Sequence, residues 1–290
     1  MLDQQELYEK VIFETLGPNA QLMSAVLVAA GNQNQGIRLE TSKGSFFLKL
    51  NFDHERDTLA KESEGLQKLR NATFLKVPET YGLGRVEDYN YLLSEFIATS
   101  RQRLDYWEDL GLGLAHLHLT SSSQFGLDTD NYIASLRQNN LQTDSWSDFY
   151  IEQRLEPMVG LAYFDKLIPL DFLKKFQTIY TKMESIFPKE KPALLHGDLW
   201  SGNVLCNQEG KPCLIDPAIY FGHREMDLAF SKLFGGFDTR FYEAYESVTP
   251  LEPDFESRIG IYNLYPLLVH LNLFGTAYLP GIEKIIKRFQ

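Results

Sequence analysis

Cysteine is scarce in this chain, with only Cys206 and Cys213 among 290 residues. A disulfide framework is thereby excluded, and a chain of this length buries a sufficient core without one. The two cysteines could face each other across a short hairpin, yet both are expected to be thiols. Long apolar runs are also missing. No stretch approaches the ~18 uninterrupted apolar residues of a membrane span. The opening MLDQQELYEK is acidic and polar where a secretory leader is basic and then apolar. These features read as a cytoplasmic protein with no membrane partner. Positive charge is in deficit, with 28 Lys and Arg against 39 Asp and Glu, a net charge of −11. Such a field repels phosphate backbones, so nucleic acid is not an expected partner. Internal repeats and low-complexity tracts are lacking as well.

What remains is the balance of an ordinary globular protein, 44% hydrophobic and 23% charged. Its length suggests about two domains. Residues 2–16 read as a helix stopped by Gly17-Pro18. Strand-like pieces follow at 24–30, 37–41 and 46–50, the last two flanking the turn Ser42-Lys43-Gly44. A helix is expected over 57–70, then extended segments at 81–85 and 89–97. Beyond Thr99 the pattern changes to amphipathic helices: Trp107, Leu110, Leu114 and Leu117 recur at helical spacing, as do Phe172, Phe176, Ile179, Met183 and Ile186. One β-like hairpin, 203–217, interrupts them. The plan is α+β: a small antiparallel β-rich lobe, residues 1–97, and a larger, mainly helical lobe, residues 98–290. Ligands favour the cleft of such a two-lobed plan.

The chemistry concentrates in LLHGDLWSGNVLCNQEGKPCLIDPA, residues 194–218. Asp198 is followed five positions later by Asn203, and Asp216 lies across the hairpin. Phosphoryl transfer from a nucleotide needs a carboxylate for the acceptor hydroxyl and oxygen ligands for the bridging magnesium. An Asp-x-x-x-x-Asn loop followed by a strand-borne Asp supplies these in the order that protein kinases use. Asp198 is then the base, and Asn203 with Asp216 holds Mg²⁺ through hard oxygens. Either residue alone would read as a turn former; it is the combination that carries the assignment. His196 reads as a brace for the loop.

A kinase reading requires upstream partners. Lys49 sits in the apolar strand FFLKL, where a lysine is unexpected unless its charge is used. The following helix carries Leu59, Glu62, Leu66 and Leu69 at steps of three, four and three. Glu62 therefore lies on the apolar stripe, while Glu64 is about 200° from it at ~100° per residue. An inward Glu needs a partner, and Lys49 is the natural one; their ion pair would hold the lysine against ATP phosphates. The phosphate-covering turn is expected at residues 31–36, where Gly31 and Gly36 allow close backbone approach, although the segment is not GxGxxG. Glu95, Phe96 and Ile97 form the expected hinge, whose backbone groups would pair with adenine.

Taken together these residues resemble the fructosamine kinase (ketosamine-3-kinase) family, within the aminoglycoside phosphotransferase-like kinases. HGDLWSGN at 196–203 matches the family's catalytic loop, including Trp200. Further matches are FGLDTDNYIASLRQNN at 125–140, WSDFYIEQRLEP at 146–157, IDPAIYFGHREMDLAFSKLFGGF at 215–237 and IYNLYPLLVHLNLFG at 261–275. The resemblance implies a two-lobed protein-kinase-like fold. It implies ATP-dependent phosphorylation of the 3-hydroxyl of ketosamines, free or protein-linked, after which elimination frees the amine. Carried over by position, Asp198 is the base, Asn203 and Asp216 the metal ligands, and Lys49 with Glu62 the nucleotide-binding pair. Asp227, in MDLAF, matches an aspartate that braces the catalytic loop. Trp200, between Asp198 and Asn203, could form a wall for the ketosamine, with packing within the loop as the alternative. Tyr220, His223 and Arg224 could line the acceptor pocket, with an ion pair the alternative for Arg224. One departure concerns the phosphate-covering turn: the family usually has two adjacent glycines before it, and this chain has Ala30-Gly31. A kinase for an aminoglycoside, choline or methylthioribose is the alternative reading, and a silent nucleotide-binding protein a more distant one.

Overall fold

The computed structural model describes residues 3–30, 34–52 and 57–289. They divide into two compact units, 1–106 with 204–216, and 107–203 with 217–290.

The first unit is built on a five-stranded sheet in the order β1-β2-β3-β5-β4, from β1 (Leu22–Ala30), β2 (Asn34–Thr41), β3 (Gly44–Asn51), β4 (Thr80–Val86) and β5 (Tyr89–Glu95). All neighbours are antiparallel. Helix α1 (Gln4–Leu16) starts at a capping box, in which Asp3 accepts from the Glu6 backbone at 2.8 Å and Glu6 returns the contact at 3.0 Å. It ends at Gly17, whose φ of 83° is the left-handed conformation that stops a helix before proline. The apolar side of α1, Leu7, Tyr8, Val11 and Ile12, packs with Ile37, Leu39, Phe46, Leu48 and Leu50. Phe46, Leu48 and Leu50 alternate along β3, which leaves Phe47 and Lys49 on the opposite face.

Helix α2 (Thr58–Ala72) follows β3. A short hairpin, Val204–Cys206 with Pro212–Leu214, completes this unit and is tied to it by the Leu214 amide donating to Lys76 O at 2.9 Å. Its register pairs Cys206 with Pro212 and Cys213 with Leu205. The two sulfurs therefore leave opposite faces of the ribbon and remain thiols, not the facing pair that the spacing allowed.

The second unit is mainly helical. The helix from Trp146 widens into a π-turn at Tyr150–Leu155 and resumes as Glu156–Phe164. The expected helix through Phe172 and Ile186 is two: Leu170–Tyr180 and the short Met183–Ile186, separated where the Lys182 amide bonds back to Ile179 O. Ile179 and Met183 are both fully buried, so the apolar spacing runs through the break without revealing it. Helices Glu225–Leu233, Thr239–Val248, Phe255–Phe274 and Leu279–Phe289 follow. A strand pair, Ala193–Leu195 with Tyr220–Gly222, delivers the chain into the loop that begins at His196. Among the described residues no helix is long and apolar enough to cross a membrane.

Candidate active site

In the first unit, β3 presents Lys49 toward α2, whose inward stripe carries Glu62 between buried Leu59 and Leu66. The Lys49 Nζ donates to both Glu62 oxygens at 2.8 Å and to Asp216 Oδ1 at 2.9 Å. Lys49 and Glu62 side chains are only 14% and 19% exposed, Asp216 48%. Burial works against the Lys49 ammonium, but the Asp216 and Glu62 carboxylates outweigh it and hold its pKa above the ordinary lysine value. Burial, together with the Asp216 charge, lifts the Glu62 carboxyl above its usual range despite Lys49. Glu64, on the far side of the helix, pairs with Lys61 and is 54% exposed. Asp216 adopts φ 50°, a conformation that few non-glycine residues occupy and that aspartate tolerates better than most.

The other positions that the sequence suggested for the nucleotide are more ordinary. Gly31 lies outside the described residues. Gly36 sits opposite Lys49 in the β2–β3 ladder, and a Cβ there would meet the Phe47 ring at 2.7 Å. The need for glycine at 36 is thus steric and local. Glu95 pairs with Lys76 at 2.6 Å and its amide donates to Glu79 O at 2.7 Å. Arg38 lies over the Phe96 ring at 4.7 Å, and Ile97 is buried. Among the described residues no backbone–backbone hydrogen bond engages Phe96 or Ile97.

In the second unit, the loop after Ala193–Leu195 is held from beneath. The Asp227 carboxylate accepts from the His196 amide at 2.7 Å and the Gly197 amide at 2.9 Å. Gly197 has φ 82°, and a Cβ there would lie 2.0 Å from Ala218 O. His196 is fully buried and its Nδ1 accepts from the Asp198 amide at 3.3 Å. Asn203 Nδ2 donates to both Asp198 O and Asp198 Oδ2 at 2.9 Å. The Asn203 amide nitrogen is thereby committed to the loop. Asp198 and Asn203 are therefore fixed relative to one another.

Sequence reasoning missed two parts of this support. His118 Nε2 lies 3.2 Å from Asp227 Oδ2, and its Nδ1 lies 2.8 Å from Tyr245 Oη. A histidine at the end of the helix Tyr106–His118 carries no local signal for either contact. Three residues read as acceptor-pocket candidates have other surroundings. Tyr220 is fully buried beneath the Arg154 guanidinium at 4.0 Å. His223 is buried and stacked on Trp146, ring centroids 4.7 Å apart. Arg224 takes the ion pair instead, with Glu190 at 2.7 Å, and donates to Thr249 O and Pro250 O. Trp200, by contrast, is exposed.

The donors suit magnesium in kind: Asp216 offers a carboxylate and Asn203 an amide oxygen, hard ligands both. A model of the fructosamine kinase family matches residues 4–290. A probable ketoamine kinase of Enterococcus faecium is 38% identical over 266 residues, 90% of this chain and 94% of that one. A chloroplastic protein-ribulosamine 3-kinase of Arabidopsis thaliana is 35% identical over 280 residues, covering 94% and 84%. A putative fructosamine-3-kinase structure from Thermobifida fusca superposes with a TM-score of 0.87 at 30% identity, covering 96% of each chain. The fold alone is shared with an aminoglycoside phosphotransferase solved with AMP-PNP and hygromycin B, at TM-score 0.63, 18% identity and 97% of each chain.

Proposed function

We infer from the chain's place in the fructosamine kinase family, to which it belongs over residues 4–290, that it uses ATP to phosphorylate the 3-hydroxyl of ketosamines. The observation that carries the reading is the buried Lys49, held at 2.8–2.9 Å by Glu62 and Asp216. A structural lysine has no need of two carboxylates; a phosphate-binding one must be kept charged and aimed.

Each residue then has a task. The first unit serves the nucleotide and the second the catalytic loop and acceptor. Lys49 binds phosphate oxygens, with Glu62 setting its position. Phe96 and Ile97, with Glu95, offer backbone groups to adenine. Asp216 and the Asn203 amide oxygen would hold Mg²⁺, which when bound neutralises charge on the transferring phosphoryl group. Asp198 Oδ accepts the proton of the sugar hydroxyl as its oxygen bonds to the γ-phosphorus. The bond from that phosphorus to the β–γ bridging oxygen breaks and ADP leaves. Later elimination of the 3-phosphate frees the amine, so the outcome is deglycation. Trp200 flanks the acceptor. The setting we propose is the cytoplasm, and the net charge of −11 argues against nucleic acid as partner.

The test is ADP release on fructosyl-, ribulosyl- and erythrulosyl-lysine, with an aminoglycoside and choline as rival acceptors. Asp198→Asn removes the accepting charge, and general-base assistance is worth about 10²–10⁴-fold. Turnover should fall by that factor with the KM for ATP little changed, and phosphorus NMR should place the phosphate on the 3-hydroxyl. Wild-type turnover in the variant would remove Asp198 from the mechanism. Activity confined to a rival acceptor would replace the substrate.

A further inference from the structure

Trp200 begins a line of rings that the phosphoryl-transfer chemistry does not use. Its indole is 39% exposed and its centroid lies 6.5 Å from that of Phe234. Phe234 lies 4.9 Å from His270, which lies 5.5 Å from Phe274 and 5.0 Å from Tyr278. Phe234 and Phe274 are 44% and 65% exposed, so this is a continuous aromatic surface and not a set of isolated rings.

Its near end is fixed to the catalytic loop. The Trp200 amide donates to Asp198 O at 3.1 Å, and the Asn203 amide donates to Trp200 O at 3.0 Å. Gly202 keeps room for the indole, because a Cβ there would meet the ring at 2.2 Å. The Trp200 end of the line is thus held in the same short loop as Asp198, two residues from it.

The surface also lacks what other rings of this unit possess. Arg154 lies over Phe149 and Tyr220, Lys175 over Phe172, and Lys232 over Tyr242 and Phe255. Among the described residues no lysine or arginine lies over Trp200, Phe234, Phe274 or Tyr278. His270 does not supply a cation either. Its Nδ1 lies 2.7 Å from Pro266 O and donates to it, which leaves Nε2 as an acceptor, and burial lowers its pKa. Aromatic faces without a resident cation attract one from a ligand, and they also cover apolar stems.

We propose that this aromatic surface is the subsite for the amine-bearing arm of the substrate, a lysyl side chain whose methylenes and secondary ammonium lie along the rings of Trp200, Phe234, His270, Phe274 and Tyr278. The proposal rests on the ketosamine reading above. A lysyl arm combines the two features that the surface selects, an apolar stem and a positive charge. A short amine or an anionic amino acid offers at most one of them.

The experiment compares two substrates with the same ketose, one on the ε-amine of a lysine peptide and one on methylamine. The wild-type protein should favour the lysyl adduct in kcat/KM, through KM. Phe274→Ala and Phe234→Leu, both at exposed positions, should each reduce that preference by about threefold or more, the scale of uncovering one methylene of the lysyl stem. Phe164→Ala, at another exposed ring of the same unit, should leave the preference as it was. Absence of a wild-type preference, or variants that weaken both adducts in parallel, would overturn the subsite while leaving the kinase reading intact. Failure of the wild type to phosphorylate either adduct would overturn the kinase reading, and the subsite with it.

Discussion

Replacing Asp227 by Asn tests whether the catalytic loop is held by a charge or merely by a shape. The carboxylate accepts from the His196 and Gly197 amides, at 2.7 and 2.9 Å, and contacts His118 Nε2 at 3.2 Å. It is buried, so no solvent stands in for a lost acceptor. An asparagine offers one carbonyl oxygen. Whichever carboxylate position that oxygen occupies, the NH₂ group at the other faces an N–H donor. One backbone amide is left buried and unsatisfied, at a cost of about 1–3 kcal/mol, and the remaining bonds lose charge assistance worth roughly 1 kcal/mol each. The sum is about 3–5 kcal/mol. In a protein of this size each kcal/mol moves Tm by roughly 2–4 °C, so a fall of at least ~6 °C is expected by thermal denaturation. Turnover should fall as well, since Asp198 follows directly on the two amides that lose their anchor. An Asn variant within ~1 °C of wild type would show that the charge is not what holds the loop.

Three further outcomes are expected. Glu62→Gln loses a charge-assisted contact worth about 1.5–3 kcal/mol, so kcat/KM for ATP should drop roughly 10- to 100-fold, whereas Glu64→Gln should change it less than twofold; the reverse order would show the helix face to be misread. His223, buried and further disfavoured as a cation by Arg258 and Arg224, has its pKa pushed down to about 3. A depressed histidine stabilises the fold above its unfolded pKa near 6.5, and that contribution is lost as pH falls toward 3. Between pH 6.5 and 5 it amounts to about 2 kcal/mol, measurable as an acid sensitivity by urea denaturation that His223→Gln should lack. Gly197→Ala should cost at least ~2 kcal/mol, from left-handed strain and contact with Ala218 O. Gly160→Ala, where an added Cβ meets nothing within 4 Å on a helix, should be neutral or stabilising. Equal Tm values for the two variants would refute the steric account.

Much of this was legible because it is local. The helical face of Glu62 follows from three leucines and a period of 3.6, and the Ser42-Lys43-Gly44 turn from its own residues. The loop Asp198–Asn203 fixes its own geometry within six residues. Contacts between distant positions were not legible. Asp227 and His118 are 109 residues apart, and neither carries a mark of the other. Tyr220, His223 and Arg224 looked like pocket residues because they follow Asp216 and are polar. Polarity there serves burial instead: Tyr220 takes a guanidinium on its face and Arg224 a carboxylate. The break after Tyr180 escaped notice for the converse reason, since its flanking apolar residues keep the spacing of an unbroken helix.

The division of the chain has a consequence for how it is made. The first unit draws on residues 1–106 and again on 204–216. During synthesis at about 5–20 residues per second, some 5–20 s separate the emergence of Tyr106 from that of Asp216. Through that interval the first unit lacks its hairpin, and Lys49 has Glu62 but not yet Asp216. The amino-terminal portion is thus a latecomer to its own completion, finished only after the whole first segment of the second unit, 107–203, has been synthesised. Nascent chains stalled before and after position 216 should differ in protease resistance of the β-sheet. A circular permutant that joins the hairpin early should remove that delay.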